Sequence, residues 1–319
     1  MGRTGKRRIT IVGAGAMGLG IGQRFAQAGH EVIFHDLSEK SLIKALEGIE
    51  HNLKELVELE TLGPEEVQKI LDRVQTTTEL STAAFRADLV VEAVFEDLEI
   101  KQNLFKELDR LCPEQTILAS NTASLMPSQV GALTQRQDKV LVAHYFYPPH
   151  LIPLVELVRS RFTSDRTVRI YSDLASEAGS VPVVIEKETA GFLVNRLQYA
   201  LFREVFDLVE KGIASPRDID LAVKNSFGPR LAVAGPVEIM EVQAGWKLIM
   251  DEARNILPDL SVSREFPRIL ADKVAQGELG AVTGQGFYTW LPERLAAWKR
   301  RMSKALVERF SGRAADEGL

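Results

Sequence analysis

Residues 9–18 read ITIVGAGAMG, and the pattern that they begin continues as far as Gly29. The first four residues are apolar or β-branched, which is typical of a strand buried in a parallel sheet. Gly13, Gly15 and Gly18 then follow in the spacing G-x-G-x-x-G. Apolar residues recur with helical spacing beyond them, and Gly29 is placed to end the helix. The stretch therefore predicts a buried strand, a tight turn and a helix in succession.

Each glycine of this turn has a separate physical role. The first allows the tight turn, the second lets a phosphate approach the backbone, and the third lets the helix pack closely on the strand. The positive N-terminus of the helix would then face the pyrophosphate of a dinucleotide. We therefore predict a dinucleotide site whose contacts are Gly13, Gly15, Ala16, Met17 and Gly18. A structural glycine turn without a ligand is the alternative, which the strand–turn–helix context disfavours.

A second strand pattern covers residues 31–35 and ends at Asp36. An acidic residue at this distance from the glycine turn accepts hydrogen bonds from the hydroxyls of the adenosine ribose. Its charge would repel a 2′-phosphate, and no arginine occurs in residues 37–40 to hold one. The sequence thus predicts NAD rather than NADP as the cofactor.

The composition indicates a folded protein with a small-molecule ligand. The chain has 319 residues, of which 45% are hydrophobic, enough for two domains with substantial cores. The net charge of −5 argues against a nucleic-acid partner. Cys112 is the only cysteine, so no cysteine cluster can hold a metal, and a reducing cytoplasm is the expected location. No apolar run reaches the length of a membrane span, so no membrane association is expected.

Strand and helix patterns alternate through the first part of the chain, which predicts a doubly wound α/β sheet. Two helical segments, residues 38–60 and one that begins at Pro64, form an insertion in this alternation. Further strands are predicted at residues 87–93, 116–120, 140–144, 154–158 and 181–185. The pattern then becomes helical, with one helix predicted over residues 191–211. We expect an α/β domain over residues 1–187 and an all-α domain over residues 188–319.

His144 and Glu156 are the candidates for acid–base chemistry. His144 ends a predicted strand at the carboxyl edge of the sheet, where ligands bind in such folds. Glu156 follows among apolar residues of the next predicted strand, so its buried carboxylate needs a partner. A His–Glu pair would fix the imidazole tautomer and stabilise the ring when it takes a proton. On composition alone, a structural core histidine beside an unrelated glutamate is the alternative.

Several motifs, taken in their order and spacing, resemble the L-3-hydroxyacyl-CoA dehydrogenase superfamily over nearly the whole chain. Besides the glycine turn, they are residues 91–97, 120–122, His144, 154–158, 190–196 and 283–288. The resemblance implies an N-terminal Rossmann domain that binds NAD and a C-terminal helical domain that contacts substrate and forms a homodimer. Residues 125–128, 152–158, 195–200 and 228–236 most resemble the branch of lambda-crystallin and L-gulonate 3-dehydrogenase.

The resemblance also implies roles for individual residues. His144 is the expected acid–base residue, Glu156 is its orienting partner, and Asn195 is expected to hydrogen-bond the substrate. Glu96 and Lys101 resemble family residues near the cofactor. The residues expected to line the substrate are Ser120, Ala123, Asn195 and Arg230.

Three features depart from the family's pattern. Ala123 stands where the family usually has a serine that contacts substrate and nicotinamide, so that hydroxyl is missing. Tyr147 stands where the family has an asparagine near the cofactor. The inserted helical pair carries Glu58, Glu60 and residues 65–66, all acidic, where enzymes of acyl-CoA present lysines to the CoA phosphates. A solvated acidic face without a ligand role is the alternative explanation of these glutamates.

We therefore expect an NAD-dependent dehydrogenase that reversibly oxidises a free L-3-hydroxy acid, such as L-gulonate, to the 3-oxo acid. Arg230, which we predict to lie in a loop over residues 226–230, would bind the carboxylate through two parallel hydrogen bonds, although an exposed surface arginine is an equal alternative. Two other functions stay open. One is a short-chain L-3-hydroxyacyl-CoA dehydrogenase acting on 3-hydroxybutyryl-CoA, and the other is a non-catalytic, crystallin-like protein that binds NAD.

Overall fold

A computed structural model of the protein describes residues 5–243 and 245–310. Within these ranges eight strands form one sheet: β1 (Arg8–Val12), β2 (Glu31–His35), β3 (Val74–Thr77), β4 (Leu89–Glu92), β5 (Ile117–Ser120), β6 (Val140–Tyr145), β7 (Leu154–Val158) and β8 (Val181–Ile185). The strands lie in the order β3-β2-β1-β4-β5-β6-β7-β8. All neighbours from β3 to β6 are parallel, whereas β7 is antiparallel to β6 and β8 is parallel to β7.

The α-helices fall into two groups along the chain. The helices between and beside the strands are α1 (Ala16–Gln27), α2 (Glu39–Glu58), α3 (Pro64–Leu71), α4 (Leu80–Ala84), α5 (Leu98–Leu111), α6 (Pro127–Val130) and α7 (Asp165–Glu177). The later helices are α8 (Val194–Glu210), α9 (Pro216–Lys224), α10 (Phe227–Leu231), α11 (Pro236–Gln243), α12 (Gly245–Ile256), α13 (Arg268–Ala275) and α14 (Pro292–Phe310). The predicted doubly wound α/β domain followed by an all-α domain is confirmed.

Successive residues of the central strands point to opposite faces of the sheet, and both faces are covered by helices. Ile11 of β1 packs in one core cluster with Phe25 of α1, whereas Val12 packs in the other with Phe105 of α5. The first cluster also takes side chains from α2, α3 and α7, and the second takes them from α4 and α6. The sheet is therefore the middle layer of three, and the carboxyl ends of its parallel strands remain at one edge.

The inserted helical pair has the expected start signals. The Ser38 side chain accepts a hydrogen bond from Ser41 N at 3.2 Å, and Pro64 is the first residue of α3. Strand β3 follows this pair and was not predicted from the sequence. It pairs only with β2 at the sheet edge, and its Gln75 and Thr76 are exposed, so it lacks the apolar run of a buried strand.

The long helix α8 begins later than the sequence pattern predicts. The expected helix covered residues 191–211, but the observed one is Val194–Glu210. Gly191 has a φ of +74° and Phe192 a φ of +53°, and neither value is compatible with a right-handed helix. The prediction was therefore wrong at this end, because the backbone turns left-handed before the helix starts.

The chain divides into two compact units, one of Met1–Val194 with Arg300–Leu319 and the other of Asn195–Lys299. The second unit contains α9 to α13, nearly all of α8 and the first part of α14, which continues into the first unit from Arg300. The domain boundary between residues 187 and 188 remains a prediction. The predicted domains also include residues 1–4, 244 and 311–319, which lie outside the described residues.

Candidate active site

The turn after β1 excludes side chains at two of its three glycines. Gly13 has a φ of +103°, and a Cβ there would lie 2.5 Å from the carbonyl oxygen of Ala93. A Cβ on Gly18 would lie 1.9 Å from the carbonyl oxygen of Gly13. A Cβ on Gly15, in contrast, would meet no atom of the described residues within 4 Å. The backbone at Gly15 is therefore open to a ligand, as the predicted phosphate contact requires.

Helix α1 starts at this opening. Ala16 and Met17 are its first two residues, and Gly15 before them provides no side-chain cap for the free N–H groups. Free N–H groups at the positive end of a helix attract an anion. Asp36 follows β2 beside the turn, because its Oδ2 accepts a hydrogen bond from Ala14 N at 2.9 Å. The structure thus brings the glycine turn and the predicted ribose-binding carboxylate together.

These groups fit a dinucleotide cofactor. The open backbone and the helix N-terminus suit a pyrophosphate, and the carboxylate of Asp36 suits a ribose diol. Oδ1 of Asp36 accepts a hydrogen bond from Ser38 N at 2.9 Å. Each carboxylate oxygen can accept more than one hydrogen bond, so both retain capacity for a ribose hydroxyl.

Lys101 lies beneath the surface, and its expected place near the cofactor remains a prediction. Its side chain is 1% exposed, and Nζ lies 2.6 Å from Oε1 of Glu92. Nζ also lies 3.4 Å from Oε2 of Glu96 and 3.4 Å from the carbonyl oxygen of Val94. Three acceptors match the three hydrogens of the ammonium group. Lys101 therefore holds two carboxylates in place and presents no hydrogen to a ligand.

Glu92, at the end of β4, is fully buried and joins Lys101 to the neighbouring strand end. It accepts hydrogen bonds from Val94 N at 2.7 Å and from the Ser120 hydroxyl at 2.5 Å. Ser120 is itself fully buried and accepts a hydrogen bond from Thr122 N at 3.2 Å. In this structure Ser120 contacts protein groups, and the substrate contact expected for it remains a prediction.

Glu96 connects this network to the turn after β5. Its Oε1 accepts hydrogen bonds from the Thr122 hydroxyl, from Ala123 N at 3.2 Å and from the Ser124 hydroxyl at 2.8 Å. Burial by itself would raise the pKa of the Glu96 carboxyl, but the hydrogen bonds from Thr122 and Ser124 and the charge of Lys101 together lower that pKa. Glu96 and Ala123 thus lie together at the carboxyl edge of the sheet, with Ala123 contributing a backbone N–H.

His144 and Glu156 face each other directly across the antiparallel strands β6 and β7. Nδ1 of His144 lies 2.8 Å from Oε2 of Glu156, and the two side chains are 7% and 0% exposed. A carboxylate can only accept a hydrogen bond, so Nδ1 carries the proton and Nε2 of the neutral ring is left as a proton acceptor. The pair therefore has the geometry of an acid–base group with an orienting carboxylate.

The other oxygen of Glu156 holds the start of α8. Oε1 accepts hydrogen bonds from Leu193 N at 3.1 Å and from Val194 N at 2.8 Å. Val194 is the first residue of α8, so the carboxylate satisfies free N–H groups at the helix N-terminus and is favoured by the helix dipole. Glu156 thus has hydrogen-bonding partners on both of its buried carboxylate oxygens.

Asn195 and Arg230 belong to the second unit. Asn195 is the second residue of α8 and directly follows Val194. Arg230 is exposed, and the residues around it form the short helix α10 where the sequence pattern predicted a loop. Pro229 is compatible with this helix because it lies in the first turn, where its missing N–H removes no hydrogen bond.

The residues of the site that were not predicted include Glu92 and Phe192. Glu92 ends an apolar strand, so the signal that identified Glu156, a carboxylate among buried apolar residues, applies to it as well. The ring centroid of Phe192 lies 5.5 Å from that of His144. No pattern in the sequence marks this contact, since it depends on the left-handed turn before α8.

Neither a metal-binding cluster nor a membrane-spanning helix occurs in the described part of the chain. Among the residues that the structure describes, no group of three or more His, Cys, Asp or Glu side chains could hold a metal ion. Within residues 5–243 and 245–310, no helix is long and apolar enough to cross a membrane. At the candidate site, charged side chains meet in two places, namely Glu92 with Lys101 and Glu96, and the His144–Glu156 pair.

Two family models match consecutive parts of the chain. The model described as "3-hydroxyacyl-CoA dehydrogenase, NAD binding domain" matches residues 8–189. The model described as "3-hydroxyacyl-CoA dehydrogenase, C-terminal domain" matches residues 191–290. The two matches meet just before α8.

Similar proteins include enzymes of different specificity. Mouse mitochondrial hydroxyacyl-coenzyme A dehydrogenase is 36% identical over 291 residues, 89% of this chain and 91% of that protein. The human lambda-crystallin homolog is 34% identical over 305 residues, 94% of each. The 5-formyl-3-hydroxy-2-methylpyridine 4-carboxylate 5-dehydrogenase of Mesorhizobium japonicum is 31% identical over 301 residues, 94% of this chain and 96% of that protein. A crystal structure of a dehydrogenase of this last kind, described as an NAD⁺-dependent dismutase, has a TM-score of 0.88 at 30% identity and covers 97% of this chain and 100% of its own.

Proposed function

Because the chain belongs to the 3-hydroxyacyl-CoA dehydrogenase family and is an NAD-dependent oxidoreductase, we propose that it reversibly oxidises a free L-3-hydroxy acid, such as L-gulonate, to the 3-oxo acid. The observation that carries the catalytic part is the buried His144–Glu156 pair. The choice of a free acid rests on the charges of α2 and α3 and on Arg230. The two parts are independent, because either can fail without the other.

His144 and Glu156 act on the hydroxyl group. NAD bound at the glycine turn supplies the acceptor for the hydride that leaves the carbinol carbon. Nε2 of His144 takes the hydroxyl proton, because Nδ1 is already bonded to Glu156. The carboxylate of Glu156 stabilises the positive charge of the protonated ring, and Asn195 orients the substrate. In the reverse direction the ring returns the same proton to the carbonyl oxygen.

The inserted helices favour a substrate without CoA. Residues 39–73 contain nine acidic and five basic side chains. Two of the lysines lie 2.6 Å from a glutamate, Lys54 from Glu50 and Lys69 from Glu66. A surface of this sign repels the phosphates of CoA, which a free acid lacks. The Mesorhizobium relative also supports a free acid, because its name describes a carboxylate without CoA.

Arg230 is the proposed partner of the substrate carboxylate. A charged hydrogen bond is worth about 1.5–3 kcal/mol, so Arg230→Met should raise KM for the free acid about 10- to 100-fold. The Kd of NADH should not change. Arg217→Met, which alters another exposed arginine of the second unit, serves as the control and should leave KM unchanged. An unchanged KM in Arg230→Met would remove Arg230 from the proposal.

A short-chain L-3-hydroxyacyl-CoA dehydrogenase is the second candidate. The identity to the mouse enzyme favours it, since that protein is named for hydroxyacyl-coenzyme A. The two candidates differ in kcat/KM for 3-hydroxybutyryl-CoA and for free 3-hydroxy acids. A much higher value for the CoA ester would select this candidate over the free acid.

A non-catalytic protein that binds NAD is the third candidate, which the similarity to the lambda-crystallin homolog supports. The buried His144–Glu156 pair argues against it, because contacts to the start of α8 need only the Glu156 carboxylate and not a histidine beside it. Substrate-dependent formation of NADH that is lost in His144→Gln would exclude it.

A homodimer formed through the second unit is also proposed. No residue of 195–242 or 245–299, the part of this unit whose burial is described, is buried. Large apolar side chains are exposed there, including Trp246, Val242 and Leu257. A helical unit of this size normally buries a core, and a second copy would cover this apolar surface. Sedimentation should give twice the 35.4 kDa mass of the chain, and a single-chain mass would contradict the dimer.

The cytoplasm is the proposed location. The chain has one cysteine, Cys112, which is buried and free, and burial raises the pKa of its thiol to about 11. A chain without disulfides suits a reducing compartment. The mouse relative is named as mitochondrial, so fractionation of cells that express the protein should find it in the cytoplasmic fraction and not in an organelle.

A further inference from the structure

The turn between β8 and α8 contains an unusual backbone. Gly191 and Phe192 are consecutive left-handed residues, with φ values of +74° and +53°. Phe192 N donates a hydrogen bond to the carbonyl oxygen of Thr189 at 3.2 Å. A phenylalanine rarely adopts this conformation, since its Cβ is crowded by the neighbouring backbone. Such backbone persists only where the surrounding structure requires it, which makes this turn a candidate for a functional role.

Three consecutive residues of this turn and the start of α8 contact the His144–Glu156 pair. The Phe192 ring lies with its centroid 5.5 Å from that of His144, at an interplanar angle of 59°. The next two residues, Leu193 and Val194, donate their N–H groups to Oε1 of Glu156. The side chain of Phe192 is 1% exposed and packs in a small buried cluster with Val142 and Val158. One turn therefore contacts both members of the pair.

The hydrogen bond to Glu156 is not sufficient to fix the imidazole ring. The outer torsion of a histidine side chain is broad and roughly two-fold, so a ring in open space can turn over and exchange the positions of its nitrogens and carbons. Two phenylalanine rings restrict this rotation by contact with the imidazole. The ring centroid of Phe146 lies 4.5 Å from that of His144, and the ring centroid of Phe192 lies 5.5 Å from it. Phe146 follows the strand of His144, whereas Phe192 reaches the ring from another part of the chain.

We propose that Phe192 is a positioning residue for proton transfer at His144. Its left-handed backbone places the ring against the imidazole, which keeps Nδ1 on Glu156 and leaves Nε2 directed at the substrate. This role rests on the proposed function, in which His144 exchanges a proton with the substrate hydroxyl. Phe192 itself exchanges no proton and need not touch the substrate.

Phe192→Leu tests this role, because it removes the ring and keeps most of the apolar volume. Histidine-selective ¹⁵N labelling and NMR report the tautomer of His144, whose signals are identified by their loss in His144→Gln. We expect one tautomer, protonated at Nδ1, in the wild type and a mixture in Phe192→Leu. We expect kcat to fall about 10- to 100-fold through misorientation of the ring, while the Kd of NADH stays within about twofold.

Phe25→Leu is the matched control. Phe25 is a fully buried phenylalanine of α1 in the main core cluster, so the same substitution costs packing there without contact to His144. It should lower Tm and leave the His144 tautomer and kcat unchanged. If Phe192→Leu does not fold, Phe192→Met provides the same readouts, because methionine fills an irregular space but presents no flat ring to the imidazole.

The outcomes separate this inference from the proposed function. A single tautomer and a normal kcat in Phe192→Leu would show that Phe192 only fills space, and would overturn the inference while the function stands. A fall in kcat without any change of tautomer would also overturn it. Normal turnover in His144→Gln would overturn the proposed function itself, whatever Phe192→Leu does.

Discussion

At the scale of single residues, Glu156 has two oxygens with different neighbours. Oε2 faces Nδ1 of His144, and Oε1 faces the N–H groups of Leu193 and Val194. Every one of these neighbours donates a hydrogen, so the position requires an acceptor on both sides. A glutamine has one acceptor and one donor. Whichever way its amide turned, one donor would meet another.

Glu156→Gln should therefore impair catalysis despite its small change in shape. We expect kcat to fall by about 100-fold or more, because the imidazole loses either its tautomer or its charge stabilisation. The Kd of NADH, measured by fluorescence, should not change. Glu114→Gln, at an exposed glutamate before β5, is the control. A kcat in Glu156→Gln equal to that of the control would show that the carboxylate is dispensable.

We propose that Asp36 sets the preference for NAD over NADP. We expect wild-type kcat/KM to be much higher with NAD than with NADP. Asp36→Ala should lower the ratio of the two kcat/KM values, because the substitution removes both the ribose hydrogen bonds and the repulsion of a 2′-phosphate. Asp36 also accepts hydrogen bonds from Ala14 N and Ser38 N, so Asp36→Asn is included to remove the charge and retain one acceptor. A ratio that both variants leave unchanged would exclude Asp36 from ribose recognition.

At the scale of elements, the buried strands could be predicted and the edge strand could not. Strands such as β1 and β4 are buried on both faces, so their apolar runs are visible in the sequence. β3 lies at the sheet edge and pairs with β2 on one side. Its exposed residues are polar, so its sequence contains no apolar run. The start of α8 was missed because the left-handed backbone at Phe192 is set by tertiary packing, which a helical pattern does not report.

The candidate site shows the same division. His144 and Glu156 could be predicted because the carboxyl end of one strand and a carboxylate within the next are both sequence features. The burial of Lys101 could not be predicted. It depends on how α5 packs over the end of β4, which brings the ammonium group of Lys101 to Glu92 and Glu96. A lysine on an amphipathic helix has the same sequence pattern whether it is exposed or enclosed.

Lys101 should therefore contribute strongly to stability. Lys101→Met leaves the buried carboxylate of Glu92 without its cation, and we expect the free energy of unfolding to fall by about 3–5 kcal/mol. Lys106→Met, at an exposed position on the same helix, should change it by no more than about 0.5 kcal/mol. Denaturant titration measures both. Equal stability of the two variants would contradict the role given to the buried network.

At the scale of the whole molecule, three histidines act in the same direction on stability. Burial lowers the pKa of His30, of His35 and, with the charge of Arg24 added, of His150, whose pKa falls to about 4. A histidine of the unfolded chain has a pKa near 6.5. Between these values the unfolded chain binds protons that the folded chain does not, so acid favours unfolding. Stability should therefore fall as the pH decreases from about 6.5 towards 4.

His150→Gln should reduce this sensitivity to acid. One pKa unit corresponds to about 1.4 kcal/mol, so His150 accounts for about 2–3 kcal/mol of the loss between pH 6.5 and 4. Tm measured against pH should show a shallower decline in His150→Gln than in the wild type. His51→Gln, at an exposed histidine of α2, should follow the wild type. Parallel curves for His150→Gln and the wild type would contradict the lowered pKa.

The most direct test of the proposed enzyme is the initial rate of NADH formation with a panel of free L-3-hydroxy acids, L-gulonate among them, and with L-3-hydroxybutyryl-CoA. Wild-type protein should oxidise at least one free acid with a higher kcat/KM than the CoA ester. His144→Gln should lower kcat for that acid about 10²- to 10⁴-fold and keep its affinity for NADH. Normal turnover in His144→Gln, or oxidation of the CoA ester alone, would contradict the proposal.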